Sequence, residues 1–129
     1  MEKEFIPYEQ ALALKELGVD EPCFGYYKPN GELGYIENHI LKDFPYLAKN
    51  SEWQDLVAAP TFSQAFRWFR EKYNLKSWVQ EHTADTFIYE IRPHVLTHYK
   101  QGETYVYNNY EEAELACLKK LIEIVKEKK

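Results

Sequence analysis

The stretch PTFSQAFRWFREKY, residues 60–73, constrains the fold more than any other part of the chain. Thr61 can cap the free backbone N–H groups of a first helical turn, and Gln64, three residues on, can reach back to close a capping box. Phe62, Ala65, Phe66, Phe69 and Tyr73 recur at offsets of 0, 3, 4, 7 and 11, which places them on one face of a 3.6-residue helix. Each ring buried on that face contributes roughly 2 kcal/mol. Asn74 tolerates the left-handed conformation that stops a helix, and Leu75 folds back on the last turn. The flanks of this helix retain Arg67, Trp68, Arg70 and Lys72 as candidate binding residues. Trp68 and Lys72, four apart, have the spacing of a cation–π pair. Alternatively, Trp68 packs beneath the segment 38–60, whose Phe44, Tyr46, Leu47, Trp53 and Leu56 need cover. An exposed Trp without a ligand is the less common case.

Other elements follow from local signals. A helix is predicted from Pro7 to Leu17, with Pro in its first turn, Gly18 as its stop, and Ala13, Leu14 and Leu17 on one side. Strands are expected near 23–28 and 32–37, because two aromatic-rich runs flank Pro29, Asn30 and Gly31, and Asn-Gly supplies the positive φ of a tight turn. Residues 38–60 read as a short helix or irregular connector. KSWVQEH (76–82) and TFIYEIR (86–92) read as two strands around the turn Thr83, Ala84 and Asp85. In the second, Phe87, Tyr89 and Ile91 alternate with Ile88, Glu90 and Arg92, the period of a strand with one buried face. TYVY (104–107) reads as a further strand. Asn109 and Glu112 mark the start of a final helix over 110–126, with a wide apolar arc formed by Ala113, Cys117, Leu118, Leu121, Ile122, Ile124 and Val125.

These elements give an α+β fold: an antiparallel sheet with two helices packed on it, preceded by an N-terminal helix and β-hairpin. A chain of 129 residues fits one domain that folds without disulfides or metal. Its parts are helix plus hairpin (1–37), connector (38–60) and a helix–strands–helix core (61–129). Cys23 and Cys117 fall in different elements without CxxC spacing, so they read as reduced packing residues. No window holds the roughly 18 apolar residues of a membrane helix, and the N-terminus shows no signal-peptide pattern. A cytoplasmic protein without membrane contact is expected. The net charge of −5 argues against holding nucleic acid mainly by phosphate neutralisation, which needs a clustered excess of Lys and Arg.

Three segments, FIPYEQALALKELG with DEPCFGYY, APTFSQAFRWFREKY and YEEAELACLKKLIEIVK, together cover most of the chain. They resemble uncharacterised small proteins encoded by phages, prophages and mobile elements of Bacteroidetes-type bacteria. Residues 38–56 and 93–103 match less. The layout also resembles small phage sandwich domains in which two helices cover one antiparallel sheet. The resemblance implies a phage or mobile-element context and an accessory role, and it carries no catalytic residues onto this chain.

Chemical signals are sparse. His94 and His98 have i, i+4 spacing, and with His82 or Asp85 they are candidate zinc ligands. However, they follow a proline and lack a HExxH glutamate or a third ligand fixed by spacing, so the reading is two surface histidines and no metal. Glu81, Asp85 and Glu90 near His82 form a candidate acid–base face, but any hairpin with an open polar face offers such a cluster. Glu114 falls inside the apolar arc of the last helix, although a first-turn position suits a negative charge. Gly-rich phosphate loops, GxSxG and recognisable Cys–His spacing are missing, so neither catalytic residues nor a cofactor is expected.

The leading expectation is a non-enzymatic binding protein that acts on a host or phage protein, with inhibition of a host defence system as one such role. A second is nucleic-acid binding through Arg67, Arg70, Lys72 and Lys76 with exposed aromatics, in a layout loosely similar to double-stranded-RNA-binding domains. A small enzyme using the face of Glu81, His82 and Glu90 is a third.

Overall fold

A computed structural model describes residues 4–35, 49–50, 56–93 and 106–128. In chain order these form α1 (Tyr8–Leu17), β1 (Gly25–Tyr27), β2 (Leu33–Tyr35), β3 (Val57–Ala59), α2 (Phe62–Tyr73), β4 (Lys76–Thr83), β5 (Thr86–Arg92) and α3 (Tyr110–Lys128). The fold is α+β with antiparallel sheets, an N-terminal helix and a hairpin, as the sequence predicts. Contacts group the chain into two compact units, 1–64 and 65–129, with the boundary inside the first turn of α2.

In the first unit α1 starts at Pro7 and ends at Gly18, which takes a left-handed φ of 95°. The Gly18 N–H donates to the Lys15 carbonyl and the Val19 N–H to that of Leu14, satisfying the last carbonyls of the helix. Its buried residues are Ala11, Leu14 and Leu17, so the core face is turned toward Ala11 and away from the predicted Ala13, which is only half-buried.

The hairpin pairs Tyr27 with Leu33 and Gly25 with Tyr35. Its turn differs from a two-residue Asn-Gly turn. Only Gly31 has a positive φ, at 88°, and its N–H donates to the Lys28 carbonyl at 2.8 Å. Pro29 and Asn30 therefore occupy the centre of the turn, where the fixed φ of proline suits the first central position, and Gly31 supplies the left-handed residue that follows. Asn30 Oδ1 accepts the Glu32 N–H at 3.0 Å and holds the turn closed.

A third strand lies within the predicted connector. β3 pairs antiparallel with β1, giving the order β2-β1-β3, and Val57, Ala58 and Ala59 are all buried. Asn50 seals it: its Oδ1 accepts the Ala58 N–H at 2.9 Å while its Nδ2 donates to the Val19 carbonyl at 2.9 Å. Next to β3, Ile6 N–H donates to the Pro60 carbonyl, and the Tyr27 hydroxyl donates to the Ile6 carbonyl at 2.6 Å. The buried Phe5 ring lies so close over β1 that a Cβ on Gly25 would stand 2.6 Å from it.

The capping box of α2 forms in both directions. Thr61 Oγ1 accepts the Gln64 N–H at 3.2 Å, and Gln64 Oε1 accepts the Thr61 N–H at 3.1 Å. At the other end Asn74 adopts φ 55°, and the N–H of the fully buried Leu75 donates to the Phe69 carbonyl. Within the predicted core face Phe62, Ala65 and Phe69 are buried, whereas Phe66 and Tyr73 are half-buried.

The second unit is organised by α3, which packs on both strands of the β4–β5 hairpin. Register pairs Ser77 with Ile91, Val79 with Tyr89 and Glu81 with Phe87 on one face, and Lys76 with Arg92, Trp78 with Glu90 and Gln80 with Ile88 on the other. Asn109 Oδ1 accepts the Glu112 N–H at 2.8 Å and caps α3. Ala113, Cys117, Leu118, Leu121 and Val125 are fully buried along it. Of the predicted strand 104–107, Tyr107 bridges Phe87 through two backbone hydrogen bonds of 2.9 Å, while Thr104 and Tyr105 lie outside the described residues.

Gly25→Ala is expected to lower the unfolding free energy by about 1–3 kcal/mol, the usual cost of forcing extra volume into a packed site. Urea denaturation would show a lower midpoint with an unchanged slope.

Candidate functional site

The four residues singled out on α2 do not form a common surface. Trp68 is 8% exposed, with its ring set edge-on against Phe69 at 5.0 Å and Tyr73 at 5.4 Å. It is a core residue, and the only cation–π contact among the described residues lies elsewhere, at Arg92 and Trp78. Arg67, Arg70 and Lys72 are exposed. At roughly 100° per residue, Arg67 and Arg70 share a flank and Lys72 points about 140° away from Arg67. Arg67 approaches Glu71 at 3.8 Å, and Arg70 and Lys72 occupy the last turn of α2, where cations suit the helix dipole without any ligand.

The acid–base face is also divided. Glu81 pairs with Phe87 on the face toward α3, while Glu90 pairs with Trp78 on the opposite face. His82 and Asp85 are exposed, and His94 and His98 lie outside the described residues. Among the described residues no group of three or more His, Cys, Asp or Glu side chains is placed to hold a metal ion, and no helix is long and apolar enough to cross a membrane.

Both cysteines are buried free thiols. Burial, then Glu21 and Asp20, pushes the Cys23 thiol up to about 12. Burial likewise pushes Cys117 up to about 12; the Ser77 hydroxyl beside it acts in the opposite sense, and Glu114 raises it further. Ser77 Oγ is itself buried without a partner in hydrogen-bond geometry, so its contact with the thiol is a weak one. Neither sulfur is a nucleophile at neutral pH. Glu114 is half-buried, and its carboxyl is raised by burial first and by Glu111 second. Desolvation thus outweighs the favourable helix end that the sequence suggests.

An open cleft of about 350 Å³ runs past Lys15, Gly18, Val19, Asp20 and Asn50. Its polar groups are used within the fold. Lys15 Nζ donates to the Leu56 carbonyl at 3.0 Å, Asp20 lies 3.9 Å from Lys49, and Asn50 bridges Val19 and Ala58.

The outer face of the β4–β5 hairpin, at the end where β4 begins and β5 finishes, sets an exposed aromatic among charged side chains. Trp78 stands there 40% exposed. Its Nε1 donates to Gln80 Oε1 at 3.0 Å, which fixes the indole, and the Arg92 guanidinium sits 5.8 Å from its ring centroid. Arg92 also reaches Glu90 Oε2 at 3.3 Å, and Lys76 lies directly across from Arg92. Toward the turn this face closes, since Ile88 is buried. The sequence held a signal for the site. In KSWVQEH the tryptophan shares its parity with Lys76, Gln80 and His82, so an aromatic stands on the polar side of a half-buried strand.

Comparison of the chain with protein-family models, with curated proteins and with solved structures finds no match.

Native Cys23 and Cys117 should resist a thiol reagent such as DTNB at pH 8 and react fully once urea unfolds the chain. Rapid labelling of the native protein would contradict their placement. For Glu114 the sign follows from its raised pKa. The folded state binds the proton more tightly than the unfolded chain, so this group's contribution falls as pH rises above the ordinary carboxylate range. Glu114→Gln is therefore expected to raise Tm at pH 7, and the difference should shrink toward zero as pH falls to about 4, near the ordinary carboxylate value.

Proposed function

We propose that the protein is a non-enzymatic binding protein that engages a protein partner through the open end of the β4–β5 outer face, centred on Trp78. The observation that carries this reading is an exposed indole held in one orientation by Gln80 and flanked by Arg92. Trp and Arg are the side chains that most often dominate protein interfaces, because each offers a large contact area together with directional polar groups. Pre-fixing them lowers the entropy lost on binding. The phage or mobile-element setting rests on the resemblance of the three sequence segments. In that setting the partner is a host or phage protein, and a host defence factor is one such target.

Nucleic-acid binding by the basic flank of α2 is less well supported, since Trp68 is buried and Lys72 points away from the flank that Arg67 and Arg70 share. A photo-crosslinking residue at position 82, exposed and of the same strand parity as Trp78, placed in the full chain and expressed in cells of the Bacteroidetes type, tests the reading while leaving Gln80 in place. A specific protein adduct, lost in a Trp78→Ala background and retained in an Arg67→Ala/Arg70→Ala background, is the expected result. Adducts to nucleic acid, or protein adducts indifferent to Trp78, would contradict it.

A further inference from the structure

The charges around Trp78 point to a particular kind of partner. Lys76 and Arg92 are directly opposite each other in the β4–β5 register. Like charges directly opposite each other destabilise a hairpin. Glu90 offsets Arg92 at 3.3 Å, but Lys76 makes no ion pair among the described residues. The open end of the face thus holds two cations and one carboxylate, a local balance opposite in sign to the chain's net charge of −5.

We infer that this face docks a short acidic peptide segment of the partner protein. One carboxylate of the segment is placed between Lys76 and Arg92, and an adjacent apolar or aromatic side chain lies on the Trp78 ring. The inference rests on the protein-binding reading above and adds the partner's chemistry to it. A carboxylate shared by two cations that face each other across the register replaces like-charge repulsion with two charge-assisted contacts, and Arg92 can present its planar fork to that group. The arrangement suits a peptide better than a nucleic-acid strand. A strand brings one negative charge per nucleotide and calls for a track of cations, whereas this face has two cations, an intervening Glu90, and an acidic molecule around it. A peptide with one or two carboxylates beside an apolar residue matches the count.

The test uses the ¹⁵N-labelled full chain and three probe peptides of equal length. Each carries one Phe flanked by Asp/Glu, by Ser/Asn, or by Lys, and an oligothymidylate serves as a fourth probe. The acidic peptide should shift the amides of Lys76, Trp78 and Arg92 and the Trp78 indole N–H. Its affinity should fall with added salt and drop about tenfold in Trp78→Ala. Lys76→Glu combined with Arg92→Glu should transfer the preference to the Lys-flanked peptide, provided circular dichroism shows the fold retained. Equal binding of the neutral or basic peptide at this face would overturn the acidic specificity while leaving the protein-binding reading intact. Stronger binding of the oligonucleotide at these residues would overturn both. An absence of shifts at Lys76, Trp78 and Arg92 with every probe would overturn the inference, and the position-82 crosslink then decides the broader reading on its own.

Discussion

The alternation of side chains along the β4–β5 hairpin is the constraint on which the rest of the second unit depends. Successive residues of a pleated strand face opposite ways, so a helix that covers one parity leaves the other outside. α3 covers Ser77 and Val79 with Tyr89 and Ile91, and its fully buried residues supply the complementary surface. Trp78, Glu90, Lys76 and Arg92 then share the opposite face, which is exposed at Lys76, Trp78 and Arg92 and closed at Ile88. A one-residue slip would bury these polar groups and expose Ile91, a penalty large enough to fix the register. The surface proposed to bind a partner is thus a by-product of the packing that stabilises the fold.

In the first unit, β3 is held by backbone pairing to β1 and by side chains bonded to the backbone in and beside it. Asn50 accepts the Ala58 N–H and donates to Val19, and Lys15 reaches the Leu56 carbonyl. An N–H or C=O left unpaired at a part-buried edge would cost about 1–3 kcal/mol, so these contacts matter more than their number suggests. The same contacts occupy the polar lining of the neighbouring cleft, which makes it part of the fold's internal bonding.

Features set by local chemistry were legible in the sequence. The bounds of α2 follow from Thr61, Gln64 and Asn74, and the stop of α1 follows from Gly18, because caps and left-handed residues act within a few positions. Features set by long-range pairing were not. Val57, Ala58 and Ala59 carry no strand signature, and their conformation comes from β1. The position of the turn at 28–31 is legible from Pro29, Asn30 and Gly31 but its type is not, since Pro29 competes with Asn30 for the first central position. The site shows the same division. Trp68 and Trp78 each lie within two residues of a basic residue in sequence, and only the packing of the unit makes the first a core residue and the second a surface one.

Accessibility of these two tryptophans is therefore the direct measure of the account. In a Trp53→Phe background, which leaves these two indoles as the chain's remaining tryptophans, acrylamide quenching of the intrinsic fluorescence should lose an accessible, red-emitting component in Trp78→Phe and keep that component in Trp68→Phe, with circular dichroism confirming that the variants remain folded. An unchanged accessible component in Trp78→Phe, or its loss in Trp68→Phe, would contradict the assignment of Trp78 to an open face and of Trp68 to the core.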